Sequence, residues 1–477
     1  MKPKFFLENR AYSKKDLAVV LEKNIYETQR ILDVLYKINV IRYVDTDKED
    51  IELDELLELQ FVENLANLIK DRKCVFKFVG ILQIEDICLC IYPKYITDYK
   101  DDVQNNFKKF RQVINVIVKY ENSKSQNIAV DLEYYDNKNI NLISTAIALI
   151  ENFKYNGLYN NDKKVVNIND DGEILWSKTV NESLAYIVNE IPVYFDYYTE
   201  IIENDLKNFV RRVHAIILTK ICKDFEVILS ILGIEPILIS DEELENFGEV
   251  DYLIYQLKQE LNSQFITSKQ YILKLLINYL KNISSADIVS DINFVGSTSF
   301  NLIWEEVCAV LEGNDLNRTL LDINAKNPKS DILNIKLKDL ICSPIWKPNG
   351  MNISHETATL KPDLISVDLE NKVFNIYDAK YYIISLDKNE VKNQPGVGDV
   401  IKQYLYQLAF EDFYVANKIK KVNNAFLVPA NNQNFLKVIF GTVKMDMFKH
   451  VKTSVEISDI FIYKVDAQKA YEIYLDN

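Results

Sequence analysis

Residues 361–382, KPDLISVDLENKVFNIYDAKYY, restrict the fold more than any other stretch of this chain. DLISV and VFNIYDA alternate as strands do, and the polar DLEN between them has the composition of a tight turn. Asp378 and Lys380 are two residues apart, so a strand points both to one face. If the strands pair antiparallel across the turn, Asp363 at the start of one comes to lie near Asp378 on the other. Converging carboxylates repel, and the repulsion raises the pKa of one of them. A bound divalent cation relieves that strain. All-oxygen ligands specify a hard ion, so Mg²⁺ is expected, with Mn²⁺ as its substitute. A lysine beside such an ion can hold an activated water or stabilise charge building on a pentacovalent phosphate. These groups suffice for phosphodiester hydrolysis. The plainer reading is a surface hairpin with a solvated Asp/Lys pair.

Two flanking helices add polar groups. STSFNLIWEEVCAVLEG has Ser297 or Ser299 as cap, a dense apolar face and Gly313 as terminator. It offers a third acid, Glu305 or Glu306; the two lie about 100° apart around a helix, so only one can face the hairpin. Downstream, GVGDVIKQYLYQLAF opens a helix that places Lys402, Gln403 and Tyr406 or Gln407 within reach of the metal site or a DNA backbone.

The N-terminal segment has the outline of a winged helix. Ser13 and Asp16 form a capping pair ahead of Leu17, Val20 and Leu21, and a second helix turns Ile31, Leu32, Leu35 and Ile38 inward. VIRYVD follows as a strand, with IELDEL as its return strand around an acidic turn. In a DNA-binding version the second helix presents Tyr26, Thr28, Gln29, Arg30 and Lys37 to the groove. A helical docking module fits the same pattern, and the acidic wing favours it. From Cys74 the period changes to two, giving a hairpin, then helices, then two short strands around DDG with Trp176 on the second. A long helical region follows to about residue 285. Its Arg211 and Arg212 read as solvated charges and His214 as a structural residue.

The net charge of −14 rules out a uniformly basic surface for nucleic acid, so any such contact needs a local patch or bound metal. Cys88 and Cys90 lie on one strand face, and no second Cys/His pair has zinc spacing, so they read as core residues. Absence of a signal-peptide pattern and of an apolar run near 18 residues leads to the expectation of a soluble cytoplasmic protein without membrane contact.

The constellation resembles the PD-(D/E)XK nuclease superfamily and, more narrowly, the LlaJI-type restriction endonuclease family, related to the McrC nuclease subunit. FVGILQIEDICLCIYPKY, GEILWSKTV, FNLIWEEVC, KPDLISV, IYDAKYY and PGVGDVIKQYLYQLAF carry the resemblance, across roughly residues 75–470. It implies that Asp363, Asp378 and Lys380 occupy the metal-binding and catalytic positions. Glu305 would be the helical acid, a further metal ligand, and Gln403 the polar helix residue beside the site. It also implies an AAA+ GTPase partner of the McrB type. The chain lacks a G-x-x-x-x-G-K-[ST] loop and is therefore not that motor itself.

The expected architecture is α+β and multidomain: a helix-turn-helix-like, winged-helix-like module over 1–72, a mixed β/helical region over 73–290 and an α/β/α nuclease domain over 291–477. The expected function is Mg²⁺-dependent restriction of foreign DNA by a nuclease subunit. Cutting both strands without repositioning needs two active sites, which a homo-oligomer supplies. The alternative is a non-catalytic adaptor that keeps a nuclease fold, though an adaptor has no need of Asp363, Asp378 and Lys380. A winged-helix transcription regulator leaves the same residues unexplained.

Overall fold

The computed structural model describes residues 3–44, 72–84, 87–98, 103–128, 142–205, 207–284, 292–347, 355–356, 358–387, 390–431, 433–448 and 450–477. The chain divides into two compact units, one formed by residues 1–134 and 291–477 and the other by 135–290. The span 73–290 expected from the sequence is thus shared between them.

The first unit begins with β1 (Pro3–Leu7) and β2 (Ala11–Tyr12). Reciprocal capping boxes then open two helices: Ser13 with Asp16 for α1 (Lys14–Leu21), and Asn24 with Glu27 for α2 (Ile25–Lys37). β3 (Ile41–Val44) pairs with β4 (Lys73–Phe76), which pairs in turn with β2. β5 (Val79–Ile84) and β6 (Ile87–Tyr92) form the expected hairpin, and β1 adds to β6 in parallel. A single core carries Leu17, Ile31 and Leu35 of the helices together with Phe78, Leu82 and Leu89 of the hairpin. Packing therefore runs unbroken from the first helices into the hairpin. α3 (Val103–Ile128) completes this part.

Tyr26, Gln29, Arg30 and Lys37 reach the surface of α2 to differing degrees, but Thr28 does not. It is fully buried, and its hydroxyl donates to the Asn24 carbonyl at 2.8 Å. The Gln29 amide donates to Asp33 at 2.7 Å. The expected return strand IELDEL and the acidic turn before it lie outside the described residues.

The second unit contains α4 (Leu142–Asn156), β7 (Asp162–Ile168), β8 (Glu173–Ile174), α5 (Trp176–Glu182), β9 (Ala185–Val188), β10 (Ile191–Tyr194) and β11 (Tyr198–Asn204). The helices α6 (Phe209–Asp224), α7 (Glu226–Leu232), α8 (Val250–Ser263) and α9 (Thr267–Ser284) follow. The strands around DDG do not pair with each other, because β11 lies between them. The Asn169 amide and carbonyl oxygen reach Asp196 and Tyr197, which draws β7 onto β11 instead. Trp176 opens α5 rather than extending a strand. His214 is buried, its Nδ1 accepting from the Tyr159 backbone at 3.1 Å, and burial pushes its pKa down to about 4. Arg212 pairs with Glu242 at the surface. Arg212 is thus an exposed charge as read, whereas Arg211 is half-buried and donates to the Tyr159 carbonyl at 3.4 Å, and the His214 Nε2 has no hydrogen-bond partner among the described residues.

The chain returns to the first unit with β12 (Ile292–Ser297), which pairs with β5, and α10 (Phe300–Glu312). After β13 (Ile345–Trp346) and β14 (His355–Glu356) come β15 (Leu364–Asp368) and β16 (Val373–Ala379). Next are β17 (Ser385–Leu386), β18 (Val391–Lys392), α11 (Val397–Ala409) and α12 (Glu411–Asn417). The chain closes with β19 (Lys421–Ala430), β20 (Lys437–Val443), β21 (Ile460–Asp466) and α13 (Ala467–Asp476). Five of these strands form a mixed sheet in the order β15-β16-β19-β21-β20, with β16, β19 and β21 parallel. Phe374 and Ile376 of β16 pack against Phe410, between α11 and α12, and Phe413 of α12. Tyr377, on the other face of β16, meets Glu312 of α10. Trp304 of α10 is fully buried, and its indole donates to the Leu427 carbonyl at 3.2 Å. The architecture is mixed α+β. No described helix is long and apolar enough to cross a membrane.

Candidate active site

The hairpin of β15 and β16 forms as the alternation predicts. Asp368 holds the turn by accepting from the Asn371 backbone at 2.9 Å and its amide at 2.7 Å, and Lys372 takes the positive φ that closes it. Leu364 pairs with Tyr377, so the next position outward sets Asp363 across from Asp378. Two hydrogen bonds and a buried proline fix the approach of Asp363. Asn314 donates to its carbonyl at 3.2 Å, the Tyr406 hydroxyl donates to the Lys361 carbonyl at 3.0 Å, and Pro362 between them is buried. Proline also biases Lys361 towards extended backbone, which leads the chain straight into β15.

Two carboxyls now meet at the strand ends. Asp363 Oδ2 accepts from the Ala379 backbone at 3.2 Å, and the Asp363 and Asp378 side chains share a hydrogen bond. Burial, the Asp378 charge, that shared bond and the Glu305 charge push the Asp363 pKa up to about 8, with Lys380 opposing them. Asp378 is buried, and no hydrogen-bond donor is aligned on its Oδ1. Lys380 Nζ stands 3.2 Å from that oxygen and supplies charge. It stands equally 3.2 Å from Asp399 Oδ1, in the first turn of α11. Burial disfavours the lysine's charge, but Asp378 and Asp399 outweigh it and hold its pKa above the ordinary value.

Glu305 rather than Glu306 faces this centre. With Lys380, Ala379 and Tyr381 it lines a cleft of about 110 Å³, whereas Glu306 is exposed and acts on Tyr474 of α13. The opposite wall comes from the N-terminal half: Glu8, Asn9, Lys77 and Lys94. Glu8 braces that wall, accepting the Tyr381 hydroxyl at 2.5 Å and the Lys94 backbone N–H at 3.3 Å.

Of the helical residues, Tyr406 rather than Gln407 belongs to the site. Its phenol pKa is raised to about 12, by burial first and then by Asp378 and Asp363, while the Gln407 amide donates to the Glu456 carbonyl. Lys402 is exposed, 3.9 Å from Asp399. Gln403 is wholly buried, its side-chain amide makes no hydrogen bond, and its carbonyl accepts from Asn424 at 2.9 Å. Gln29, Arg30 and Lys37 belong to α2, and none of them lines the cleft. Asp399, Glu8 and Lys94 had escaped the sequence reading. A first-turn acid on a helix is ordinary, so only the three-dimensional approach to Lys380 distinguishes Asp399.

Among the described residues, no three His, Cys, Asp or Glu side chains form a ready-made metal cage. The Asp363 carboxyl, raised by its neighbours and facing Asp378, nevertheless fits a hard cation that one or two carboxylates hold with water and substrate oxygens, the usual arrangement for Mg²⁺.

Comparison with known proteins identifies the family. The component YdjA of the type II restriction enzyme BsuMI from Bacillus subtilis (strain 168) is 25% identical over 99% of this chain and 90% of its own length. Two solved structures from Thermococcus gammatolerans are similar at 13% identity. McrC bound to McrB AAA+ hexamers covers 100% of this chain and 99% of its own, with a TM-score of 0.41. A McrBC complex covers 65% of this chain and 87% of its own, with a TM-score of 0.26. The family model of the LlaJI restriction endonuclease matches residues 78–468, which include the hairpin, α10 and α11. The chain belongs to the LlaJI restriction endonuclease family.

Proposed function

We propose that this chain is the nuclease subunit of a restriction system and hydrolyses DNA phosphodiester bonds with Mg²⁺, Mn²⁺ substituting. The observation that carries this reading is the meeting of the Asp363 and Asp378 carboxyls and the Lys380 ammonium at one end of a hairpin. Asp363 and Asp378 would hold the ion, and Glu305 would add negative charge from the cleft wall. When bound, the ion supplies Lewis acidity towards the phosphate and a more acidic water. Lys380, kept charged by its two carboxylate neighbours, stabilises the negative charge that grows on the phosphorus centre. A water oxygen bonds to phosphorus while one ester oxygen departs with a proton.

The partner in this reading is an AAA+ GTPase of the McrB type. Two considerations support it: the B. subtilis relative is named a component, and this chain carries no nucleotide-binding phosphate loop of its own. A motor that engages DNA also answers the acidic character of a chain with net charge −14.

The test is DNA cleavage in Mg²⁺ by wild type and Asp378→Ala, each with and without the neighbouring-gene GTPase and nucleotide. Cleavage by wild type with its partner, reduced about a thousandfold or more in Asp378→Ala, is the expected result. A folded Asp378→Ala protein that cuts at the wild-type rate refutes the site. A stable complex that never cuts points to an adaptor instead.

A further inference from the structure

Lys380 lies between two carboxylates from different elements. Asp378 precedes it on β16, whereas Asp399 reaches it from α11, and each oxygen is 3.2 Å from Nζ. The Asp399 side chain is only 19% exposed and the lysine 20%, so the second pair is largely shielded from solvent. One acid would be enough to keep a lysine charged. If Asp378 turns its oxygens to an ion, however, its hold on Lys380 weakens when the ammonium is needed in place. Asp399 stands outside the acid pair and is unaffected by that exchange. We propose that Asp399 is a positioning residue that anchors the Lys380 ammonium at the reacting centre while Asp378 serves the ion. This inference rests on the nuclease reading above.

A first-turn acid also favours the helix dipole, so the test must separate positioning from helix stability. The signs of the two effects differ from that of bulk electrostatics. Removal of a negative charge near DNA on its own tightens DNA binding, whereas removal of an anchor slows cleavage. In Asp399→Asn the single-turnover cleavage rate should fall about 10- to 100-fold, with DNA affinity unchanged or improved and the melting temperature little altered. Asp399→Glu, which keeps the charge one carbon further out, should recover part of the rate. A rate loss that only follows a fall in melting temperature, or a Glu variant no better than Asn, overturns the proposal.

A second readout needs no cleavage. Reductive methylation of lysines at fixed pH, followed by mass spectrometry, reports how firmly each amine is held. Lys380 should be modified several-fold faster in Asp399→Asn than in wild type, with Lys109 as an internal control. An unchanged Lys380 rate overturns the anchoring proposal whatever the nuclease does. A faster rate in a protein that never cuts DNA keeps the anchor and refutes the nuclease reading.

Discussion

The first unit contains two charged clusters with buried members, built on opposite plans. Lys109 of α3, with its side chain only 1% exposed, donates to Asp98 at 3.4 Å and to Asn431 at 2.9 Å. Asn431 closes the ring by donating to the other Asp98 oxygen at 2.6 Å. Charge is matched there, and each member satisfies another. At the hairpin end, Asp378 and Asp399 flank Lys380, Asp363 shares a hydrogen bond with Asp378, and Glu305 adds further negative charge. The first arrangement ties α3 to the end of β19 and needs nothing further. The second keeps surplus negative charge, which is costly for folding and useful only to a cation or a reaction.

Substitutions can break this contrast, and the largest effect should be the loss of cleavage in Asp378→Ala. That change removes a source of repulsion, so it should leave the melting temperature unchanged or raise it. The closed cluster should behave in the opposite way. Lys109→Met leaves Asp98 and Asn431 without their cation and should lower stability by about 2 kcal/mol in a denaturant titration, the figure reduced because Asp98 is partly exposed. A Lys109→Met protein as stable as wild type would erase the distinction.

A smaller effect concerns pH. Asp363 has its folded pKa raised to about 8 from an ordinary 3.8, so the folded state binds the extra proton. Its contribution to stability is fully present below pH about 4 and is lost as pH rises to about 8. Asp363→Asn should therefore flatten the fall in melting temperature across that window when no metal is present. An equally steep fall in the variant would mean that the Asp363 proton is not shared as described.

Much of this contrast was legible in the sequence, but unevenly. Strand alternation and a polar turn were enough to set Asp363 across from Asp378 and to point Lys380 to the same face, because period two leaves little freedom once the register is fixed. The choice between Glu305 and Glu306 was not readable, since periodicity separates the two by angle without saying which side meets the hairpin. Asp399 and the cleft wall from Glu8 and Lys94 were invisible for a related reason. They depend on how distant elements pack, and their local patterns are those of any helix start or strand end. The DDG turn misled because it has the composition of a hairpin turn, while Asn169 fastens it to residues 196–197 and thereby changes the pairing. Thr28 misled because its hydroxyl can be satisfied within the helix by the Asn24 carbonyl, which lets it be buried.

The central claim is that the acid pair at the hairpin end takes a divalent cation in exchange for its proton. Calorimetric titration of the protein with Mn²⁺ in two buffers of different ionisation enthalpy tests it most directly. The account predicts saturable binding with proton release near neutral pH in wild type, and loss of both in Asp378→Asn. Equal binding by the variant, or binding without proton release, would contradict it.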